Sequence, residues 1–342
     1  MKRLLARSAT VLLAAPLVLL AVQHTSGGVN SSGTASSAST VAQARANFTK
    51  VMSSHAPAVG GGGWVSPGEK HRNTTKATNG SLTAVQSANW SGYADSESGS
   101  NTVSYVSGSW TIPSVQCLPR PYQNEDAFLA NWVGIDGFSD GTVEQLGSAA
   151  QCFEGVTYYY VWYEMYPAGT VEEGTTACIN DNVDCPQPGD RVSASVSVTS
   201  AGSGENNYTL TLTDHTRPDE SFSTTAQCAT DTCADTSGEW IVERPATEAA
   251  FGVQILPLAD FTRTSFSSGD ITSGGRSSNI QGFSDGPVYD MAMIDDTASY
   301  ILACVDQPAP PGTLLTTTQT NACPGASPSR SGGFQESWDS GF

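Results

Sequence analysis

The 342-residue chain carries 15 Lys and Arg against 33 Asp and Glu, a formal net charge of −18 at neutral pH. So acidic a balance argues against binding to nucleic-acid phosphates. Eight of the basic residues but only one acid precede residue 87, and the remainder has no Lys and a net charge of −25. Protonating carboxylates relieves such self-repulsion, so the composition is typical either of a soluble extracellular protein or of an enzyme that works in acid.

The first residues have the form of a secretory signal peptide. Lys2, Arg3 and Arg7 form a basic start, and an apolar run follows over 11–22. That run is too short to span a bilayer. We therefore predict a signal peptide over 1–22, secretion to the extracellular medium, and no membrane attachment after its removal.

Residues 23–84 are rich in Ser, Gly, Ala and Thr and show no sustained hydrophobic period. This is typical of a propeptide or a disordered linker rather than a packed domain. Its surplus of basic residues is opposite in sign to the rest of the chain, so acid would weaken its attraction to a mature domain. We expect a propeptide that inhibits the enzyme, with a disordered spacer as the alternative.

Eight cysteines in an exported chain favour disulfides over metal ligands. They allow 105 connectivities, so sequence proximity is only a guide. The pairing that it favours is Cys178–Cys185, Cys228–Cys233, Cys304–Cys323 and, from what remains, Cys117–Cys152.

From residue 85 onward, short alternating or apolar runs recur between turns rich in Gly, Pro, Asn and Asp. Strands are predicted over 102–112, 127–135, 142–147, 156–166, 191–199, 207–215, 239–243, 259–266 and 287–294. No helical period separates them, so the pattern predicts an all-β sandwich or barrel. We assign it to one domain over 85–306. Residues 307–342, rich in Pro, Ser and Thr, are expected to form a loose C-terminal tail.

The side chains available for catalysis exclude several mechanisms. Of the four histidines only His215 lies after the N-terminal segment, in a turn-like TDHTRPD. A Ser–His–Asp or Cys–His system, or a His-based zinc site, would depend on that one residue. The chemistry therefore falls to carboxylates and amides.

Two predicted strands place carboxylates among apolar side chains. One face of the strand over 156–166 carries Tyr158, Tyr160, Trp162, Glu164 and Tyr166. A carboxylate among aromatic rings is typical of a substrate groove, and the alternative is a core strand with one paired Glu. On the strand over 239–243, Glu239 and Glu243 share a face, which by itself also fits an edge strand with two solvated acids.

Several motifs occur together in a fixed order. They are NWSGY at 89–93, WVGIDG at 132–137, QLG at 145–147, WYEMYP at 162–167, EWIVE at 239–243 and PLADFTRTSF at 257–266. They resemble the motifs of the glutamic peptidases, the eqolisins of peptidase family G1, over about 87–300. The sequence departs from that pattern at Leu146, where the family has Thr, at Met165, where it has Trp, and in the turn DGFSDG, which lacks a Cys.

The resemblance implies an antiparallel β-sandwich of two large sheets, about seven strands each, of the concanavalin-like or jelly-roll type. It also implies a catalytic pair of one Gln and one Glu, which fall on Gln145 and Glu239 here. The residues that it assigns to the substrate groove are Trp90, Trp132, Asp136, Trp162, Glu164 and Tyr166. No metal or other cofactor is implied.

This pair of side chains suits acid. A Glu with an ordinary pKa of about 4.3 exists in both forms near that pH, so Glu239 can take a proton from water and return it to the leaving amine. The Gln145 amide has two N–H donors that do not titrate and can stabilise the oxyanion. The expected function is a secreted, monomeric acid endopeptidase that acts on polypeptides.

Two other functions fit the same residues. A secreted glycoside hydrolase could use Glu164 and Glu239 as its carboxylate pair and would not need Gln145. A non-catalytic carbohydrate-binding β-sandwich would need the aromatic rings and neither member of the Gln/Glu pair.

Overall fold

A computed structural model describes the fold of most of the chain. The described residues are 38–53, 82–97, 101–117, 126–200, 206–230, 233–249, 252–280, 286–294, 301–306 and 334–338. The predicted signal peptide lies outside them. No helix within these ranges is long and apolar enough to cross a membrane.

Seven antiparallel strands, numbered along the chain, form what we call the site sheet. In spatial order they are β18 (Val288–Ile294), β2 (Trp90–Ser96), β12 (Ser237–Glu243), β5 (Ala127–Ile135), β6 (Val143–Phe153), β7 (Val156–Tyr166) and β8 (Thr170–Glu173). A further strand, β1 (Leu82–Ser87), runs parallel to β18.

Seven more strands form the second sheet. In spatial order they are β11 (Phe222–Gln227), β10 (Asn207–Asp214), β9 (Arg191–Ser200), β3 (Val103–Thr111), β16 (Thr264–Ser273), β20 (Phe334–Trp338) and β19 (Ile301–Asp306). Strands β18 and β19 share only two residue pairs, so the sheets meet at one corner. Among the described strands the predicted sandwich of two antiparallel sheets of about seven strands is confirmed.

The remaining elements lie at the periphery. They are the strand pairs β4 (Val115–Gln116) with β15 (Asp260–Phe261) and β13 (Ala246–Ala249) with β14 (Gly252–Ile255), the strand β17 (Arg276–Asn279) beside β16, the helices α1 (Ala38–Met52) and α2 (Thr176–Asp181), and a 3-10 turn over Pro218–Glu220.

The apolar core lies between the two sheets. Strands β3, β9 and β10 lie over β5, β6 and β12. Alternate residues such as Val133, Leu146 and Trp240 point inward from the site sheet and meet Val196 and Leu210 of the second sheet. The other face of the site sheet, which we call the outer face, carries a second apolar cluster.

The N-terminal segment contains a helix that the sequence analysis missed. Helix α1 buries Val41, Ala44, Phe48 and Met52, three or four residues apart, in the cluster on the outer face. The expectation of a segment without hydrophobic period is therefore wrong for 38–53. The apolar stripe is short and lies in a Ser/Thr/Ala-rich background, so packing on the sheet stabilises this helix more than propensity does.

The C-terminal segment also departs from expectation. Strand β20 pairs with β16 on one side and β19 on the other. The prediction of a loose tail over 307–342 is thus wrong for 334–338. The five residues FQESW have three consecutive polar residues between Phe334 and Trp338, so the alternation that predicts a strand is missing, and the stretch before them is rich in Pro, Ser and Thr.

The predicted strands are present with two differences. Strand β6 continues to Phe153 instead of ending at 147, because small residues without clear alternation extend it. The strand predicted over 259–266 divides into β15 and the start of β16.

Three of the four predicted disulfides are confirmed. They are Cys117–Cys152, Cys178–Cys185 and Cys228–Cys233. Cys304 is also disulfide-bonded, but its predicted partner Cys323 lies outside the described residues, so that pairing stays a prediction.

Candidate active site

One row of residues crosses the outer face from strand to strand. Glu239 of β12 pairs with Gly134 of β5, Gly134 with Gln145 of β6, Gln145 with Glu164 of β7, and Glu164 with Thr170 of β8. Paired residues on adjacent strands lie on the same face of a sheet. This polar row therefore brings together side chains that the sequence places in three separate motifs.

Gly134 leaves a gap between the two side chains of the predicted dyad. A Cβ at this position would lie 3.2 Å from Gln145 Cβ and 2.9 Å from Trp132 Cζ3. Because neighbouring strands are about 4.8 Å apart, the backbones at Gln145 and Glu239 are separated by roughly 10 Å. The Trp132 ring therefore lies close over Gly134, and any side chain added at this position would meet both Trp132 and Gln145.

Gln145 is held by its neighbour in the row. Its Nε2 donates to Glu164 Oε2 at 2.9 Å, and Thr170 Oγ1 donates to Glu164 Oε1 at 3.1 Å. Gln145 and Glu164 are fully buried. Burial raises the pKa of Glu164 well above its ordinary range, and the bonds from Thr170 and Gln145 counteract the rise. The hydrogen bonds fix the rotation of the Gln145 amide.

Glu239 lies across the gap and is also fully buried. Neither carboxyl oxygen has a hydrogen-bond partner of normal geometry among the described residues. Burial raises its pKa well above the ordinary value, the Ser237 hydroxyl counteracts the rise, and Asp136, Asp140 and Glu144 add to it. A buried carboxyl group without a partner is costly, and such a group is expected where a water molecule or a ligand completes the site.

Asp136 braces the backbone that leads into β12. It follows β5 in a left-handed conformation with φ of 68°. Its carboxylate accepts the N–H groups of Asp235 and Thr236, both at 2.7 Å. Burial, reinforced by Asp140, raises its pKa to about 8. Asp136 is fully buried, and its carboxylate holds the backbone that leads to Glu239.

The predicted groove aromatics lie on the outer face. Trp90 and Trp132 meet edge to face, with ring centroids 4.9 Å apart, and Trp162 packs in the same cluster. All three are fully buried, whereas Tyr166 is half-buried at the margin of that cluster. The predicted sidedness of the strand over 156–166 is confirmed.

Strand β12 is central, so the alternative of an edge strand with solvated acids is wrong. It lies between β2 and β5, and every residue in it is buried. Glu243 Oε2 accepts Trp132 Nε1–H at 2.8 Å, and its Oε1 accepts from Asn89 at 3.3 Å. Burial nevertheless raises the pKa of Glu243 to about 8.

Glu144, next to Gln145, points the other way into the sandwich. Its Oε1 lies 2.9 Å from Cys233 Sγ, and this is a contact only, since a disulfide sulfur carries no hydrogen. The carboxyl oxygens of Asp136, Glu144 and Asp235 all lie within 4.8 Å of one another. Burial and these neighbours raise the pKa of Glu144. Neighbouring residues of a strand point to opposite faces, and here neither face is open to solvent because both residues are fully buried.

Helix α1 covers part of the outer face. The Phe48 ring stacks on Tyr160, with centroids 3.9 Å apart and planes 3° from parallel. Ser53, just beyond the helix, accepts the Thr170 N–H at 3.1 Å through its hydroxyl. The N-terminal segment thus reaches the end of the polar row.

Sequence reasoning missed three contributors to this geometry: Gly134, Thr170 and Ser237. A glycine inside an apolar strand often marks a close approach, so Gly134 left a usable signal within WVGIDG. Thr170 and Ser237 left none, because their importance depends on which strands pair.

The fold and the site define a class of protein. The β-sandwich holds a buried amide and a buried carboxyl group on either side of a glycine. These groups are suited to a hydrolysis in which a carboxylate acts as the base. Residues 88–305 match the sequence profile of the peptidase A4 family. The chain belongs to this family of glutamic peptidases and is an endopeptidase.

Solved structures with a similar fold were also found. Scytalido-glutamic peptidase with a transition state analog inhibitor matches at a TM-score of 0.50 and 19% identity, over 74% of this chain and 98% of that chain. Aspergilloglutamic peptidase from Aspergillus niger matches at 0.41 and 20%, over 62% of this chain and 99% of that chain. A search of curated proteins gave no match. Membership of the family favours the peptidase over both carbohydrate-directed alternatives.

Proposed function

We propose that the chain is a secreted acid endopeptidase whose catalytic dyad is Gln145 and Glu239. The polar row is the observation that carries this proposal. It holds an amide and a carboxyl group on either side of Gly134, and the carboxyl oxygens of Glu239 have no hydrogen-bond partner of normal geometry among the described residues. Family membership supports it independently.

In the first chemical step, Glu239 as a carboxylate takes a proton from a water molecule that lies between it and Gln145. The water oxygen attacks the scissile carbonyl carbon, and the carbonyl oxygen becomes an oxyanion. The Gln145 amide donates to that oxyanion, and its N–H groups carry no charge that pH could reverse. Glu164 and Thr170 position the amide.

In the second step, Glu239 returns the proton. It donates to the departing nitrogen as the C–N bond breaks, which leaves a carboxylic acid, an amine and an ionised Glu239. One water molecule is consumed. These two steps require no metal, no organic cofactor and no covalent intermediate.

The covered form is inactive for a chemical as well as a steric reason. Burial raises the pKa of Glu239, which opposes the ionised form that a general base requires. Water that reaches Glu239 when substrate binds would weaken this cause of the shift and let the group ionise in acid. We therefore assign the predicted propeptide the role of inhibitor, with α1 as the part that packs on the face.

The test is digestion of an unfolded protein at about pH 3.5, near the ordinary pKa of Glu, by secreted full-length protein after acid incubation. Wild type, Gln145→Ala, Glu239→Ala and the control Glu173→Gln are compared. We expect Gln145→Ala to lose about 10²–10³ in kcat, as for other oxyanion donors, and Glu239→Ala to lose at least as much.

Circular dichroism establishes that each variant is folded. Mass spectrometry shows whether α1 has been removed, so that failed maturation is distinguished from failed chemistry. Full activity in matured Gln145→Ala would exclude the dyad, and polysaccharides would then be assayed with a Glu164 variant.

A further inference from the structure

Three buried carboxyl groups meet at the end of the sandwich where β5 ends and where β6 and β12 begin. They belong to Asp136, Glu144 and Asp235, and we call them the carboxyl cluster. One oxygen of each group lies within 4.8 Å of an oxygen of each of the other two. Carboxylates this close repel one another unless a proton or a cation lies between them.

Glu144 is the member of the carboxyl cluster whose bonding is incomplete. Its side chain is fully buried, and its Oε2 has no hydrogen-bond partner among the described residues. Its Oε1 lies against the disulfide sulfur of Cys233, which has no hydrogen to donate. A buried carboxylate oxygen without a partner is costly and is expected where an ion or a water molecule completes the site. This observation is separate from the clustering and points to a ligand.

The other two members are held in place by the protein. Asp136 accepts the N–H groups of Asp235 and Thr236, both at 2.7 Å. Asp235 accepts from Asn206 Nδ2 and from the Tyr208 hydroxyl, both at 2.6 Å. Because a carboxylate offers about four lone-pair sites, both groups can still bind an ion without leaving these donors.

The chain supplies little positive charge to neutralise the carboxyl cluster. The part after residue 87 has no Lys and seven Arg. Arg217 pairs with Asp190, and Arg244 donates to the main-chain carbonyls of Ala88 and Ile294. Among the described residues no ion pair involves the cluster. At neutral pH the compensating charge therefore has to come from a dissolved cation.

The ligand chemistry favours Ca²⁺. Ca²⁺ lies about 2.3–2.6 Å from carboxylate oxygens, so two oxygens on opposite sides of one ion are about 4.8 Å apart, the limit within which the cluster oxygens lie. Mg²⁺ requires a regular octahedron at about 2.0–2.1 Å, and the hydrogen bonds that hold Asp136 and Asp235 oppose that contraction. Cys228 and Cys233 form a disulfide and offer no thiolate to Zn²⁺.

An ion can reach the carboxyl cluster from the end of the sandwich. Asp140 and Cys233 beside it are half-buried, and Ala234 is exposed. Ca²⁺ takes about six to eight oxygen ligands, of which the cluster supplies at least three. Water molecules that enter from this side would complete the coordination.

We propose that Asp136, Glu144 and Asp235 bind one Ca²⁺ ion, which links the three strands that carry the polar row. Glu144 directly precedes Gln145 on β6, and Asp235 lies four residues before Glu239. The ion stabilises the site sheet at neutral pH and takes no part in the hydrolysis. The inference therefore does not rest on the proposed function.

The first experiment measures the Tm of the full-length protein at pH 7, with a chelator and then with CaCl₂. We expect a saturable rise of about 5–10 °C at a calcium concentration one hundred times the Kd. Glu144→Gln should remove most of this rise, whereas Asp219→Asn, a matched change at an exposed position, should retain it. Asp235→Asn replaces the first variant if Glu144→Gln does not fold.

The second experiment measures binding directly by isothermal titration calorimetry of CaCl₂ into the same chelator-treated proteins. We expect one site per chain in wild type and in Asp219→Asn, and a Kd at least tenfold higher in Glu144→Gln. MgCl₂ over the same concentrations should bind at least tenfold more weakly than CaCl₂.

Each alternative outcome overturns the proposal. No binding heat and an unchanged Tm would show that the carboxyl cluster takes no ion. Equal responses of wild type and Glu144→Gln would place the calcium elsewhere on this acidic chain. Equal binding of MgCl₂ and CaCl₂ would overturn the assignment of Ca²⁺. Cleavage of peptides by the enzyme is unaffected by any of these outcomes.

Discussion

The two sheets of the sandwich consist of similar strands but differ in what covers them. In the second sheet, β10 alternates between buried and half-buried residues, and β11 between half-buried and exposed ones. In the site sheet, every residue of β5 and β12 is buried. An antiparallel sheet with one solvated face shows the first pattern. The second pattern shows that the outer face of the site sheet is an interface in this form of the protein.

The two sheets also differ in where their polar residues lie. The second sheet turns Ser and Thr toward water, where they cost little. The site sheet encloses carboxyl groups whose ionisation burial opposes. The sheet that carries the chemistry is therefore the one whose stability depends on pH and on its cover.

The largest effect is expected from filling the gap in the site sheet. Gly134→Ala places a methyl group between Gln145 and Glu239 and should lower kcat/KM by about a hundredfold or more, since small displacements of reacting groups cost about that much. Peptide cleavage with a parallel measurement of Tm checks it. Gly141→Ala is the control, because a Cβ there meets no atom within 4 Å. Full activity of folded Gly134→Ala would show that the dyad does not act across this strand.

The next effect is a loss of stability as pH rises. Burial raises the pKa of Asp136 to about 8, of Asp235 to about 6 and of Glu243 to about 8. Between about pH 4 and 8 the folded state therefore binds more protons than the unfolded chain, and the free energy of unfolding decreases with pH. We expect the Tm to fall by about 10 °C or more from pH 4 to 7.5, which corresponds to a few kcal/mol.

A single variant sharpens that measurement. A carboxyl oxygen of Glu144 lies within 4.8 Å of carboxyl oxygens of Asp136 and Asp235 inside the sandwich. The charge of Asp140 also raises the pKa of Glu144. Glu144→Gln removes one titrating group from this cluster and should reduce the fall in Tm, whereas Asp219→Asn, at an exposed position, should leave it unchanged. Identical Tm curves for wild type and Glu144→Gln would show that the enclosed acids do not set the pH range.

A smaller effect, on the rate of activation, is expected when the packing of helix α1 on the outer face is weakened. Phe48→Ala removes the ring stacked on Tyr160 and should destabilise the docked helix by about 3 kcal/mol, as for other buried Phe truncations. The site sheet would then be uncovered sooner in acid. The rate at which activity appears in full-length protein measures this, with the exposed Thr49→Ala as the control. Equal rates for the two variants would contradict the role of α1 as a cover.

The smallest effect is expected on the second sheet. Thr225→Lys changes an exposed residue of β11, so its effect on the free energy of unfolding should stay within about 0.5 kcal/mol and its effect on activity should be undetectable. A large change in either quantity would mean that this face is also an interface.

Local sequence patterns predicted the positions of the strands and the sheet face to which their side chains point. Strict alternation placed Trp162 and Glu164 on one face of β7, and the structure agrees. The order of the motifs predicted the family, and the assignment of Gln145 and Glu239 as the dyad stays a prediction.

Non-local contacts explain what the sequence did not predict. The gap at Gly134 exists only because β12, β5 and β6 are neighbours in a particular register, which no single segment encodes. The stripe of α1 becomes recognisable as a buried face once Tyr160 lies opposite Phe48. The burial of Glu144 depends on the second sheet and on the Cys228–Cys233 loop above it.

The cover of the outer face has a consequence for how this enzyme can change over evolution. If α1 and the substrate use one surface in turn, a mutation that reshapes the surface for a new substrate also alters the precursor's own inhibitor. Glu172 forms an ion pair with Arg45 of α1, so a change at Glu172 would then need a compensating change at Arg45. Tyr160, which stacks on Phe48, would be tied to that residue in the same way. Substrate range and control of activation would therefore be inherited as one linked trait, and variants engineered for new cleavage sites would need a redesigned helix α1.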